Sequence, residues 1–216
     1  MPIRPWIGAR AYHGPIMHRW ILGMTLAVSV LVVDGCGSTE TPSPSTAVLG
    51  PWQPGPFERL DQALADAAED QCRANTPQAS GLPVVLHDQR GDGVDTVVFA
   101  GPDARASCQV AGDATGKVTW LTGSATRGPV TDHPEADGIT VDAMASTSDS
   151  QAGTVSDISG RAGPAIATVR IQLDDGREIT ATTANGWFYA WWPGESVAIA
   201  LAGDDILGRM IASATP

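Results

Sequence analysis

The sequence predicts an α+β fold: a helix packed on a small antiparallel sheet, followed by an Ig-like β-sandwich or open barrel. Three observations carry this reading. Helical periodicity is concentrated in one stretch of the polar half, just after residue 56. Strand signals separated by Gly- and Asp-rich turns follow it. A second series of about six short strands at regular spacing fills residues 154–216.

In the helix, Phe57, Leu60, Leu64, Ala67, Ala68 and Cys72 recur at spacings of three and four and so share one face. Pro56 suits a first turn, and Glu58 and Asp61 suit the positive end of the helix dipole. The helix is therefore expected to open at Pro56 and to stop near Asn75, ahead of Pro77. Val84–Leu86 and Thr96–Ala100 then flank Arg90-Gly91-Asp92-Gly93, a hairpin-like loop. Ala106–Val110 and Lys117–Leu121 make the next pair around Gly112-Asp113.

Residues 123–153 hold few large apolar groups and one strand candidate, Ile139-Thr140-Val141, and are read as linker or loop. Beyond them, Thr154–Ile158 leads in and Ile166–Leu173 alternates, with Val169, Ile171 and Leu173 inward. Asp174-Asp175-Gly176 and Asn185-Gly186 are turn signals. They bracket Glu178–Thr183 and precede Trp187-Phe188-Tyr189-Ala190-Trp191-Trp192. Ser196–Ala202 and Arg209–Ala212 complete the series.

The N-terminal part carries an address. Met17-His18-Arg19 precedes the apolar run Trp20–Val33, which is short for a permanent span and suits a secretory signal. The run ends in Leu31-Val32-Val33-Asp34-Gly35-Cys36. This resembles the lipobox of bacterial lipoproteins. The resemblance rests on Val33, Gly35 and Cys36, while Asp34 stands where a small uncharged residue is usual. It implies a diacylglycerol on Cys36 and a place on the outer face of the cell membrane. An uncleaved transmembrane anchor and plain secretion are the alternatives. The organisation expected is a signal over 1–35 (1–16 being an over-long start), a Ser/Thr/Pro tether over 36–55, a helix-plus-sheet unit over 56–122, the linker over 123–153 and a sandwich over 154–216.

Removing residues 1–35 takes away Arg4, Arg10, Arg19 and Asp34 and moves the formal charge from −11 to −13. Such a surface repels phosphate backbones, so nucleic acid is excluded as a partner, and it repels anionic headgroups as well. In an oxidising compartment Cys72 and Cys108 are expected to pair as a disulfide, with two buried thiols as the alternative. Neither lies in a Cys-x-x-Cys arrangement, which speaks against redox catalysis and structural zinc.

Asn185-Gly186-Trp187-Phe188-Tyr189-Ala190-Trp191-Trp192-Pro193-Gly194, with Asp175-Gly176-Arg177 before it, resembles a segment of envelope proteins of high-GC Gram-positive bacteria. The resemblance covers about residues 158–210 and implies an envelope location and no activity. Trp187, Tyr189 and Trp191 fall on one side of their strand. They form either core or an aromatic platform for a sugar ring or peptide. Arg90-Gly91-Asp92 reads as turn chemistry. Asp88, Asp92 and Asp95, like Asp174-Asp175 and Asp204-Asp205, read as solvated turn residues, since their spacing fails the EF-hand pattern. His87 and His133 lack a nucleophile elbow or metal partners. No catalytic residue, metal or cofactor is therefore expected. The function expected is that of a non-catalytic envelope lipoprotein, held to the membrane by lipid and contacting an envelope protein or wall glycan. A wall-acting hydrolase using paired carboxylates is the alternative.

Overall fold

A computed structural model describes residues 51–113, 115–128, 134–149 and 153–216, all of which fall in one compact unit. Among the described residues strands dominate, all pair antiparallel, and one α-helix packs on them, so the fold is α+β with sheets stacked as in a sandwich. Cys36, the signal segment, most of the tether and His133 lie outside the described residues.

Helix α1 spans Gln62–Asn75, where its Ala, Leu and long polar residues favour helix. Asp61 caps it, its carboxylate accepting from the Leu64 amide at 3.1 Å. Ala65, Ala68 and Cys72 form its buried stripe. The helix thus starts at Gln62 and not at Pro56. Residues 52–57 instead form a bent strap against the next element, where the Gln53 amide donates to Arg90 O at 2.9 Å and the Phe57 amide to Gln89 O at 2.7 Å. Phe57 and Leu60, placed by periodicity on the apolar face, are 41% and 38% exposed.

The first sheet has the order β1 (Val84–Gly91), β2 (Val94–Ala100), β3 (Ala104–Gly112) and β4 (Val118–Arg127). One of its faces packs on α1 through Val97, Phe99, Ala106, Cys108 and Val110. The Cys72–Cys108 disulfide joins helix to sheet there. The second sheet has the order β5 (Ile139–Asp149), β6 (Gly153–Ala162), β10 (Trp187–Pro193) and β9 (Thr182–Ala184). The third has the order β12 (Met210–Ala214), β11 (Ala198–Asp204), β7 (Thr168–Leu173) and β8 (Glu178–Thr180).

Two apolar layers join these sheets. Leu86, Val94, Val98 and Ala100 of the first sheet meet Val155, Trp187, Tyr189 and Trp191 of the second. Ile158, Phe188, Ala190 and Trp192 on the opposite face of the second meet Val169, Ile171, Leu173, Ile179 and Leu201 of the third. The layers therefore run helix, sheet, sheet, sheet. β10 is an inner strand of the middle sheet and is covered on both faces, which is why it reads as an unbroken aromatic run rather than an alternating one. Asn185 and Gly186, at φ 53° and 76°, form the left-handed two-residue turn that feeds it from β9. At Gly160 of β6 a Cβ would stand 2.0 Å from Thr140 O and 2.6 Å from the Phe188 ring, so only glycine lets β5 and Phe188 close over this strand.

Residues 123–153, read as a linker, instead carry the end of β4, all of β5 and the first residue of β6. Both β4 and β5 are edge strands with exposed faces, and there Thr, Ser and Ala suffice. The helix-plus-sheet unit and the sandwich are also not separated by a spacer, because they share the core around Trp191.

Candidate functional site: a polar crevice between the first two sheets

The contact between the first and second sheets changes character across its width. Around Trp187 and Trp191 it is apolar, but toward the edges β4 and β5 it is lined by polar side chains. Alternation along β2 and β3 sends Thr96 and Gln109 to this side while Val97 and Cys108 face the helix. Alternation along β6 and β10 sends Asp157 and Tyr189 to meet them, together with Ser107, Thr122, Ser124 and Thr147. The crevice they enclose has a volume of about 30 Å³, room for about one water molecule.

The electrostatics of the crevice are unusual. Burial pushes the Asp157 carboxyl up to about 6, opposed only in part by the Arg105 guanidinium. Burial also lowers Arg105, although its Nη2 donates to Asp142 O at 3.1 Å and its Nη1 lies 3.4 Å from an Asp142 carboxylate oxygen. The Tyr189 phenol is pushed up by burial first and by the nearby Asp157 and Asp88 charges second. Gln109 Nε2 donates to Thr96 Oγ1 at 3.3 Å, so the walls are tied to one another. A carboxyl that titrates near neutrality between two hydroxyl-lined sheets can store or release a proton. Asp157 left one signal in the sequence, an acidic residue inside a strand pattern where aspartate is disfavoured.

A second polar cluster lies deeper and is structural. Arg90 Nε and Nη2 grip Asp88 at 2.7 and 2.6 Å, both side chains fully buried, and Thr182 Oγ1 donates to the same carboxylate. Arg90 Nη1 donates to Pro54 O at 3.2 Å and Thr180 O at 3.0 Å, tying the N-terminal strap to the third sheet. His87 Nδ1 lies 3.0 Å from the buried Asp95 carboxylate. Asp88 and Asp95 are thus interior groups, not solvated turn residues, and Arg90-Gly91-Asp92 cannot present its arginine. Of that group only Asp92 sits in the exposed turn.

The aromatic platform does not exist as an open surface. Trp187, Tyr189 and Trp191 are 6%, 4% and 0% exposed. Arg161 stacks over the Trp187 ring at 4.1 Å, and Trp52 meets Trp191 edge to face at 6.5 Å. Asp175 fulfils the expectation of a turn acid: it accepts from Ser196 and Arg177 and is held down to about 2. Asp205 sits in its turn paired with Arg209, but Asp204 is the last residue of β11 and is buried against Arg170, so it is not a solvated turn residue. Among the described residues no grouping of three or more His, Cys, Asp or Glu could hold a metal ion, and no helix is long and apolar enough to cross a membrane.

A wider, shallow depression of about 520 Å³ lies between the first turn of α1 and the β1–β2 and β3–β4 turns. Phe57, Leu64, Ala67 and Val118 line it beside turn glycines, and its Asp113 carboxylate is engaged by the Thr115 and Lys117 amides of its own turn. In comparisons with known proteins, no family model, curated protein or solved structure matches the chain.

Proposed function

We propose that this chain is a non-catalytic module of the bacterial cell envelope, exported by residues 17–35 and held on the outer face of the membrane by a lipid on Cys36. The Cys72–Cys108 disulfide is the observation that carries most weight, since such bridges persist outside the reducing cytoplasm. The sequence Val33-Asp34-Gly35-Cys36 supplies the anchor, and the Ser/Thr/Pro-rich residues after it supply the tether.

The non-catalytic part of the proposal draws its support from how the acids are used. Asp88 and Asp95 are locked with Arg90 and His87, Asp175 and Asp205 are paired with arginines, and Asp174 accepts the Val197 amide. The crevice at Asp157 has room for about one water and none for a sugar ring. This weighs against a glycan hydrolase, which needs two carboxylates across a bound sugar. The module would act by contact, offering an envelope protein or wall component its acidic outer surface.

The test is the intact mass of the membrane-extracted protein beside a Cys36→Ala variant. The expected mass is that of residues 36–216 plus a diacylglycerol adduct, absent from the variant. An unmodified mass retaining residues 17–35 would replace the lipid anchor with a transmembrane one.

A further inference from the structure

The turn between β11 and β12 displays the most exposed large apolar side chains among the described residues. Ile206, Leu207 and Met210 are 85%, 74% and 65% exposed. The turn is built firmly beneath them. One Asp205 carboxylate oxygen accepts the Leu207 and Arg209 amides at 2.8 and 3.0 Å. The Gly208 amide donates to Asp205 O, and the Asp205 amide to Arg209 O, both at 2.9 Å. The second carboxylate oxygen takes the Arg209 guanidinium at 2.6 Å, so the two charges at the tip cancel. At the base of the hairpin Arg170 grips Asp204 with two hydrogen bonds, of 2.6 and 3.0 Å.

We propose that this tip is a bilayer contact, with Ile206, Leu207 and Met210 seated in the headgroup–acyl boundary of the membrane to which the chain is tethered. The inference rests on the anchorage proposed above. Two features favour lipid over a protein pocket. Lipid offers few hydrogen-bond partners, so a segment entering it gains from satisfying its own polar groups, and this turn pairs the amides of Asp205, Leu207, Gly208 and Arg209 and both its charges internally. An acidic surface gains no attraction from headgroups, so contact with a bilayer has to be made by apolar side chains. The geometry also permits it. Residues 37–51 can span about 50 Å when extended. That exceeds the roughly 40 Å expected across a domain of this size, so the tether lets any face turn to the bilayer.

The experiment uses the protein purified with its native membrane attachment and reconstituted in phosphatidylcholine vesicles. Leu207→Cys and, separately, Ile206→Cys are labelled with an environment-sensitive nitrobenzoxadiazole probe, and Glu195→Cys serves as the control. The expected result is a blue shift and a severalfold intensity gain at 206 and 207, quenched by lipids carrying a shallow nitroxide, with no change at 195. Probes at 206 and 207 that match 195 in vesicles would overturn the proposal. So would a shift that appears without vesicles and grows with protein concentration, which would assign the tip to a second copy of the chain. The mass of the same sample reports the anchor independently. Should the protein prove unlipidated, the same labels are placed in a Cys36→Ala background, where only position 206, 207 or 195 carries the probe, and mixed with the same vesicles, so the two failures stay distinct.

Discussion

At the scale of single residues, the interior is held by a buried ion pair that the sequence disguises as a turn. Asp88 and Arg90 are two apart on β1 and both fully buried. Removing one partner leaves an uncompensated charge, so Asp88→Ala should cost on the order of 3–5 kcal/mol. The double change Asp88→Leu with Arg90→Met should cost less than either single change, and urea denaturation of the three variants checks the order. Asp157 gives a second expectation. Its folded value of about 6 lies above the ordinary carboxyl value of 3.8, so the folded state holds the extra proton between them. Stability is then full at low pH and falls as pH rises through 6, by at most about 3 kcal/mol. Asp175, Asp204 and Asp205 are lowered and act with the opposite sign, being lost only in acid. Asp157→Asn should therefore gain stability over wild type at about pH 7.5 and lose that gain at about pH 4.5. A gain equal at both pH values would remove the carboxyl from the account. Residue types alone could not place these groups, because Arg-Gly-Asp-Gly reads the same whether its arginine faces water or the core.

At the scale of elements, local chemistry was legible wherever a turn or a period dictated it. Asn185-Gly186 and Asp174-Asp175-Gly176 each adjoin the strand ends they predicted, whereas β11 runs on through Gly203 and Asp204 and turns only from Asp205. The helix end at Asn75 was readable for the same reason, and the Cys72–Cys108 pair from the two cysteines left in an oxidising compartment. The helix start was not, because Phe57 and Leu60 fit the period while hydrogen bonds from Gln53 and Phe57 hold this stretch against β1 as a bent strap. Of β5 only the start, Ile139-Thr140-Val141, was legible, because the rest of an edge strand with exposed Ser, Thr and Ala needs no apolar alternation. Two element-scale outcomes follow from the packing. Replacing both Cys72 and Cys108 by serine should lower stability by about 4 kcal/mol, judged from the loop the bridge closes. Gly160→Ala should cost about 3 kcal/mol or prevent folding, since β5 backbone and the Phe188 ring must both move. Thermal melts of the two variants beside wild type measure both.

At the scale of the whole molecule, β10 is the shared wall of two apolar layers, so the three sheets should unfold together. Val98→Ala in the first sheet and Ile171→Ala in the third should displace one common transition, seen alike by tryptophan fluorescence and far-ultraviolet circular dichroism. The architecture could not be read in the sequence because periodicity assigns a face to each strand but not the layer that covers it. The aromatic run shows the difficulty: it suited both a core and a surface, and only the stacking of sheets on both sides of β10 decides. The location proposed for the molecule depends on its disulfide forming in the cell. The most direct measurement is thiol trapping in intact cells: alkylate before lysis, then digest and map residues 72 and 108 by mass spectrometry. The account predicts a Cys72–Cys108 linked peptide with neither sulfur alkylated. Both cysteines recovered alkylated would place the domain in a reducing compartment and contradict an envelope location.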